Sequence, residues 1–133
     1  MIKLISFFIF FNLFGNTDSK TYVKNYHPNG KLKEEGWILN DKKIDYWFYY
    51  YENGFKKEEG HYKNNQKVNW WIYYDEKQKT TKKCEYKGNK LNGITIVYTK
   101  GEISKAEKYN NGKKIKTWTN LNEFKKDNNY LRY

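Results

Sequence analysis

Few residues of this chain could carry chemistry, and their spacing argues against it. The histidines are His27 and His61, and the serines are Ser6, Ser19 and Ser104. A Ser–His–Asp set needs a base within hydrogen-bond reach of the nucleophile and an acid that orients the base. His27 stands beside a turn sequence and His61 inside a regular run, so no such set is suggested. A zinc site needs three or four converging ligands. Two histidines and a single cysteine, Cys84, do not form a metal-binding pattern, and one cysteine makes no intrachain disulfide. The tandem acids Glu34/Glu35 and Glu58/Glu59 hold the remaining catalytic potential, because two carboxylates across a cleft can hydrolyse a glycoside. Neighbours on a strand point to opposite faces. These pairs therefore read as solvated strand positions with cross-strand lysine partners. The expectation is a protein that is no enzyme, with no catalytic residue, metal or cofactor.

The same acids belong to a repeated phrase. "NGKLKEEG" at 29–36 returns 24 residues later as "NGFKKEEG" at 53–60. Gly30, Gly54, Gln78 and Gly101 share one slot, and Gly36, Gly60, Cys84 and Glu107 share another. Tyr62, Tyr86 and Tyr109 define a third. Trp47, Trp71, Ile94 and Trp118 define a fourth, and Tyr26, Tyr50, Tyr74 and Val97 a fifth, if one residue is deleted near Gly88. The units are 26–49, 50–73, 74–96 and 97–120. Periods of 20–50 residues signify stacked supersecondary units. Cys84 occupies a glycine slot, which suits a small residue in a small space; a reactive thiol or an intermolecular disulfide is the alternative.

Each unit contains two turn signals. One is "PNGK" or "ENGF", where Asn-Gly suggests a type I′ hairpin turn. The other is "NDKK", "NNQK", "GNK" or "NNGKK". Between them lie aromatic and β-branched runs such as "IDYWFYYY" and "VNWWIYY", which favour strands. The predicted fold is all-β: an open antiparallel meander of four stacked hairpin repeats of 23–24 residues, roughly eight strands and nearly 40 Å long at about 4.8 Å per strand. No helix is predicted. Residues 20–124 form the repeat domain, and the 125–133 tail either closes the last unit or frays. Alternation puts Trp47, Tyr49 and Tyr51 on one face and Tyr46, Phe48 and Tyr50 on the other. A single layer cannot bury both faces, so some rings should remain accessible in a shallow trough.

The segments "YHPNGKLKEEGWILNDKKIDYW" (26–47) and "YYENGFKKEEGHYKNNQKVNWW" (50–71) resemble the MORN repeat in its bacterial variant form. That variant reads approximately Tyr-Tyr-x-Asn-Gly-Lys-x-Lys-x-Glu-Gly-x-Tyr-Lys-Asn-Gly-Lys-x-x-Gly-x-Trp, and the resemblance covers about residues 22–122. It implies an all-β hairpin array and no catalytic residues. It also implies protein–protein interaction, phospholipid or membrane contact, or the role of the YwqK-type antitoxins of toxin–antitoxin systems. The chain departs from the pattern at the second glycine. Asp45, Asn69, Asn92 and Lys116 lie near that position, and only the third unit has an adjacent Gly93.

Composition sets the remaining bounds. The chain has 133 residues, 20% aromatic, with a formal net charge of +11. That aromatic content separates it from charged disordered chains. Lys3 followed by an apolar run from Leu4 to Phe14 is too short to span a bilayer and has the form of a secretory signal peptide, residues 1–19. Export to the periplasm or outside the cell, with possible membrane association, is expected, which argues against a cytoplasmic antitoxin. Residues 1–76 hold 11 lysines and 10 acids, while residues 77–133 hold 15 basic residues and 5 acids, so nearly all the charge lies in the second half.

Two binding surfaces follow. An aromatic face carried by Trp47, Tyr49, Trp71 and Tyr73 would dock an unidentified protein partner, unless those rings are simply repeat core. Alternatively Lys105, Lys113, Lys114, Lys116, Lys125 and Lys126 would contact anionic phospholipid or envelope glycan. Nucleic acid is a weaker fit for an exported chain.

Overall fold

The computed structural model describes residues 19–131, so all but the last residue of the expected signal peptide lies outside it. Nine strands follow one another: β1 (Thr21–Tyr26), β2 (Leu32–Leu39), β3 (Lys42–Tyr50), β4 (Lys56–Lys63), β5 (Gln66–Tyr74), β6 (Thr80–Lys87), β7 (Lys90–Thr99), β8 (Glu102–Asn110) and β9 (Lys113–Trp118). Each pairs antiparallel with the next, in the order β1 to β9, as one open sheet. The expected β-hairpin meander is therefore the fold, with one strand more than eight: β1 precedes the first unit as a half-repeat.

Two kinds of turn alternate. At the β2–β3, β4–β5, β6–β7 and β8–β9 turns both central residues have positive φ: Asn40 and Asp41, Asn64 and Asn65, Gly88 and Asn89, Asn111 and Gly112. These are the type I′ turns. The Asn-Gly turns are not. Asn29 and Asn53 keep negative φ, and only Gly30 (φ 82°) and Gly54 (φ 91°) are left-handed. The Gly30 N–H donates to His27 O at 2.9 Å and the His27 N–H to Lys31 O at 2.8 Å. That is a type I turn ending in a left-handed glycine, chosen because these connections are longer than two residues. Gln78 (φ 56°) holds the same place, with its N–H on Asp75 O.

The register corrects where the repeat shortens. One cross-strand row runs Val23, Gly36, Trp47, Gly60, Trp71, Cys84, Thr95, Glu107 and Thr117. Thr95, not Ile94, and Thr117, not Trp118, therefore continue the row of Trp47 and Trp71. Tyr98, not Val97, fills the slot of Tyr74, since both tyrosines pair with Thr81. The deletion lies at the Lys100–Gly101 turn, where two residues of positive φ replace the longer connection, and not near Gly88.

The departures from the second glycine also find their reason. Gly36 pairs with Trp47 and Trp37 with Ile44, leaving Asp45 and Tyr46 as a bulge. Asp45 (φ 57°), Asn69 (φ 59°) and Gly93 (φ 112°) are the left-handed residues of successive bulges. Asp and Asn are the side chains that best tolerate this region. Asn69→Gly should therefore shift stability by less than about 1 kcal/mol, because relieved strain offsets added chain entropy. Asn69→Val should cost about 1–2 kcal/mol. Urea midpoints of the two variants test this, and equal values would remove the bulge argument.

After β9 the chain forms a short helix, α1 (Leu121–Asp127), absent from the sequence expectation. Asn120 caps it, accepting from the N–H groups of Asn122 and Glu123. Phe124 is buried edge-on against Trp118, 5.4 Å between centroids, within a cluster of Ile94, Ile96 and Ala106. The tail thus closes the last unit over Leu121–Asp127, and the boundary drawn between 124 and 125 falls inside this helix.

Candidate functional site

The two faces of the sheet are built differently. On one face Trp47 lies flat across Gly36, and Trp71 across Gly60. The indole N–H of Trp47 donates to Trp37 O at 3.0 Å, and that of Trp71 to His61 O at 3.0 Å. Over each ring sits a lysine: Nζ of Lys43 and Nζ of Lys67 are each 3.9 Å from their indole centroid. Lys43 donates to Glu34 at 2.8 Å and to the Tyr49 hydroxyl at 2.9 Å, and Tyr49 donates to Tyr62 at 3.0 Å. Twenty-four residues on, Lys67 donates to Glu58 and Tyr73, and Tyr73 to Tyr86, at 2.8, 3.1 and 2.9 Å. Each cluster places a cation on a ring and satisfies its ammonium, which makes a partly buried charge tenable.

This geometry answers the exposure question for the predicted aromatic face. Trp47 and Trp71 are each 0% exposed, so they are the repeat's core and not an accessible trough. A strand residue opposite glycine has room to lie down, and these rings do. Tyr49 and Tyr73 are half-buried, with their hydroxyls engaged inward.

Burial, with hydrogen bonds to Tyr62 and Tyr86 and nearby carboxylates, pushes Tyr49 and Tyr73 far above the ordinary tyrosine range. Tyr50 and Tyr74, donating to Glu35 and Glu59 on the other face, are raised by burial and by those acids. A raised folded pKa gives stability that is complete below the unfolded value, 10.0, and is lost as pH climbs past it. Alkaline titration should therefore show late phenolate absorbance coinciding with loss of the β-sheet circular dichroism signal. Ionisation of all 14 tyrosines near pH 10 with the sheet intact would overturn this.

The opposite face carries the accessible rings. Trp37, Tyr46, Phe48 and Trp70 are partly exposed there and His61 is exposed. Tyr46 touches His61 at 4.7 Å and Phe48 at 4.9 Å, and Tyr22 meets Trp37 at 5.1 Å. The Nζ atoms of Lys20, Lys56 and Lys83 lie 4.8, 5.2 and 4.8 Å from Trp37, Phe48 and Trp70. Helix α1 packs on this face at β8 and β9, and its Phe124 shares a buried cluster with Ile94 and Ile96 of β7. Alternation separated Tyr46 and Phe48 from Trp47 without saying which face lay deeper; that is decided by Gly36 and Gly60, which strand pairing places opposite the tryptophans.

The six predicted lysines do not form one patch. Lys105 and Lys114 flank Glu107 on the tryptophan face, at 3.1 and 3.3 Å. Burial acts to raise the Glu107 carboxyl, but Lys105, Tyr109 and Lys114 outweigh it and hold it below the usual carboxylate range. Lys116 pairs with Asp127 at 2.6 Å on the helix side. Lys113 lies at the start of β9, and Lys125 and Lys126 lie in the last turn of α1, where cations suit the helix C-terminus. Cys84 is buried, which pushes its thiol up, and no three His, Cys, Asp or Glu side chains among the described residues could hold a metal ion. No family model matches the chain, and no curated protein matches it.

Proposed function

We propose that this chain is an exported, non-enzymatic repeat module of the bacterial MORN type that binds a protein partner through an aromatic sheet face. The face is the one opposite the tryptophan core, with Trp37, Tyr46, Phe48, His61 and Trp70. The observation that carries this reading is that α1 covers the apolar cluster of units three and four, with Trp70 packed against it, while Trp37, Tyr46 and Phe48 of unit one stay partly exposed, with Lys20 and Lys56 beside Trp37 and Phe48. Rigid aromatic side chains are the residues interfaces use most. Half-burial by their own strands fixes their rotamers, so little entropy is lost on docking. An antitoxin role would be one form of such protein binding.

The second reading is contact with anionic phospholipid or envelope glycan, favoured by the charge of the second half. Its weakness is that the six lysines are split between the two faces and the helix and present no continuous basic surface: Lys105 and Lys114 lie on the tryptophan face, Lys116 on the other and Lys125 and Lys126 on α1.

The test uses the chain from Lys20 onward, immobilised against envelope extract at low and high salt. A Trp37→Ala/Phe48→Ala variant is compared with a Lys113→Glu/Lys125→Glu/Lys126→Glu variant, both checked for sheet content. Protein capture that survives high salt and is lost in the aromatic variant is expected. Capture of lipid or glycan only at low salt, lost in the lysine variant, would transfer the function to the basic end.

A further inference from the structure

We propose that the outer edge of β9 takes up an acidic, extended peptide segment as a tenth strand. Within the sheet, Trp47 and Trp71 each sit in a row between two strands, flanked by Gly36 and Gly60 or by Gly60 and Cys84. Thr117 of β9 continues that row but pairs only with Glu107 of β8. Among the described residues no strand lies beyond β9, and residues 113–117 are exposed. Such an edge presents unpaired N–H and C=O groups to any chain that can match them.

Charge selects the chain that matches. Lys114 stands on the tryptophan face beside Glu107, and Lys116 on the other beside Asp127. Lys113 begins the strand, so cations flank the edge from both sides. Glu107 is shared between Lys105 and Lys114, which leaves positive charge in excess there. Two β9 edges would bring these lysines together and repel, the usual protection against self-pairing. A strand with tandem acids would instead present one carboxylate to each face. Within the sheet Lys43 and Lys67 are each held at 2.8 Å by Glu34 and Glu58 of the strand before them. Lys114 occupies the position of Lys67, but β8 places Lys105 where β4 has Glu58, so Lys114 lacks that carboxylate and shares Glu107 instead. The other edge lacks this preference, since β1 carries a single charged residue, Lys24, against three lysines on β9.

The probe is a synthetic peptide, Thr-Val-Glu-Glu-Gly-Thr-Val-Thr, with a Lys-Lys counterpart, added to the chain from Lys20 onward. Amide hydrogen exchange is read strand by strand. The acidic peptide should slow exchange of residues 113–117 several-fold, weakening as salt rises past about 0.1 M, where charges are screened beyond roughly 10 Å. The Lys-Lys peptide should leave exchange unchanged, and Lys113→Glu/Lys114→Gln should abolish the protection while the rest of the sheet exchanges as before. Peptide binding without amide protection on β9, protection on β1 instead, or no effect of the acidic peptide would each overturn the proposal.

Discussion

Trp71→Ala is expected to cost about 3–5 kcal/mol of stability, the range for deleting a buried aromatic from a packed core. Trp71 is 0% exposed and meets Tyr62 of its own unit at 4.9 Å and Tyr49 of the unit before at 6.3 Å, so one ring joins two successive units. Its loss also strips Lys67 of the ring beneath its ammonium, which is only 3.9 Å away. Lys67 keeps Glu58 and Tyr73, so the partly buried charge is not orphaned, and the cost should stay within that range. Trp37→Ala, on the partly exposed face, should cost clearly less. The measurement is urea unfolding of both variants. Equal losses would mean that the two faces contribute alike and that the core is not where the indoles lie down. In an open array each unit is stabilised by its neighbours. A shallower unfolding slope for Trp71→Ala would then show that units one and two have uncoupled from the rest.

The sequence carried the period, the hairpins and the partition of residues between faces, because those depend on local turn chemistry and on alternation. It did not carry depth. Tyr46, Trp47, Phe48 and Tyr49 are all aromatic, and period two assigns sides without saying which side is filled. That is decided across strands, by Gly36 and Gly60 lying opposite the indoles. The deletion was misplaced for the same reason. Ile94 and Thr95 differ by one position in the chain, and only the pairing of Cys84 with Thr95 shows which continues the row. Helix α1 was missed because seven residues with a single buried side chain, Phe124, show no helical period. Its signal was Asn120 followed three residues later by Glu123, a start pattern without the apolar run that normally supports it. The bulges were legible only as departures: Asp45 and Asn69 stand where the repeat pattern has glycine, and their left-handed φ explains why these residues serve.

Gly60→Ala is expected to be strongly destabilising for the addition of a single methyl group. A Cβ built at Gly60 would enter the Trp71 ring system, meeting Cδ2, Cγ and Cε2. The indole cannot retreat, because its N–H is fixed to His61 O and Lys67 covers its other face. Overpacking of this kind costs about 1–3 kcal/mol, with the upper end expected here. Gly54→Ala provides the contrast. Gly54 has φ 91° but only Lys31 Cδ nearby, at 3.7 Å, so its cost is backbone strain without a clash. Unit three shows how the clash can be released: there the small slot holds Cys84 and the facing slot holds Thr95, so a larger residue opposite a smaller one replaces the glycine–indole pair. Gly60→Ala should accordingly lose most of its penalty in a Trp71→Thr background, although Trp71→Thr is itself strongly destabilising. The double-mutant cycle should give a favourable coupling of about 1–3 kcal/mol between the two positions. Strict additivity would mean that the glycine leaves space for the backbone rather than for the ring, and the packing logic of the row from Gly36 to Cys84 would have to be abandoned.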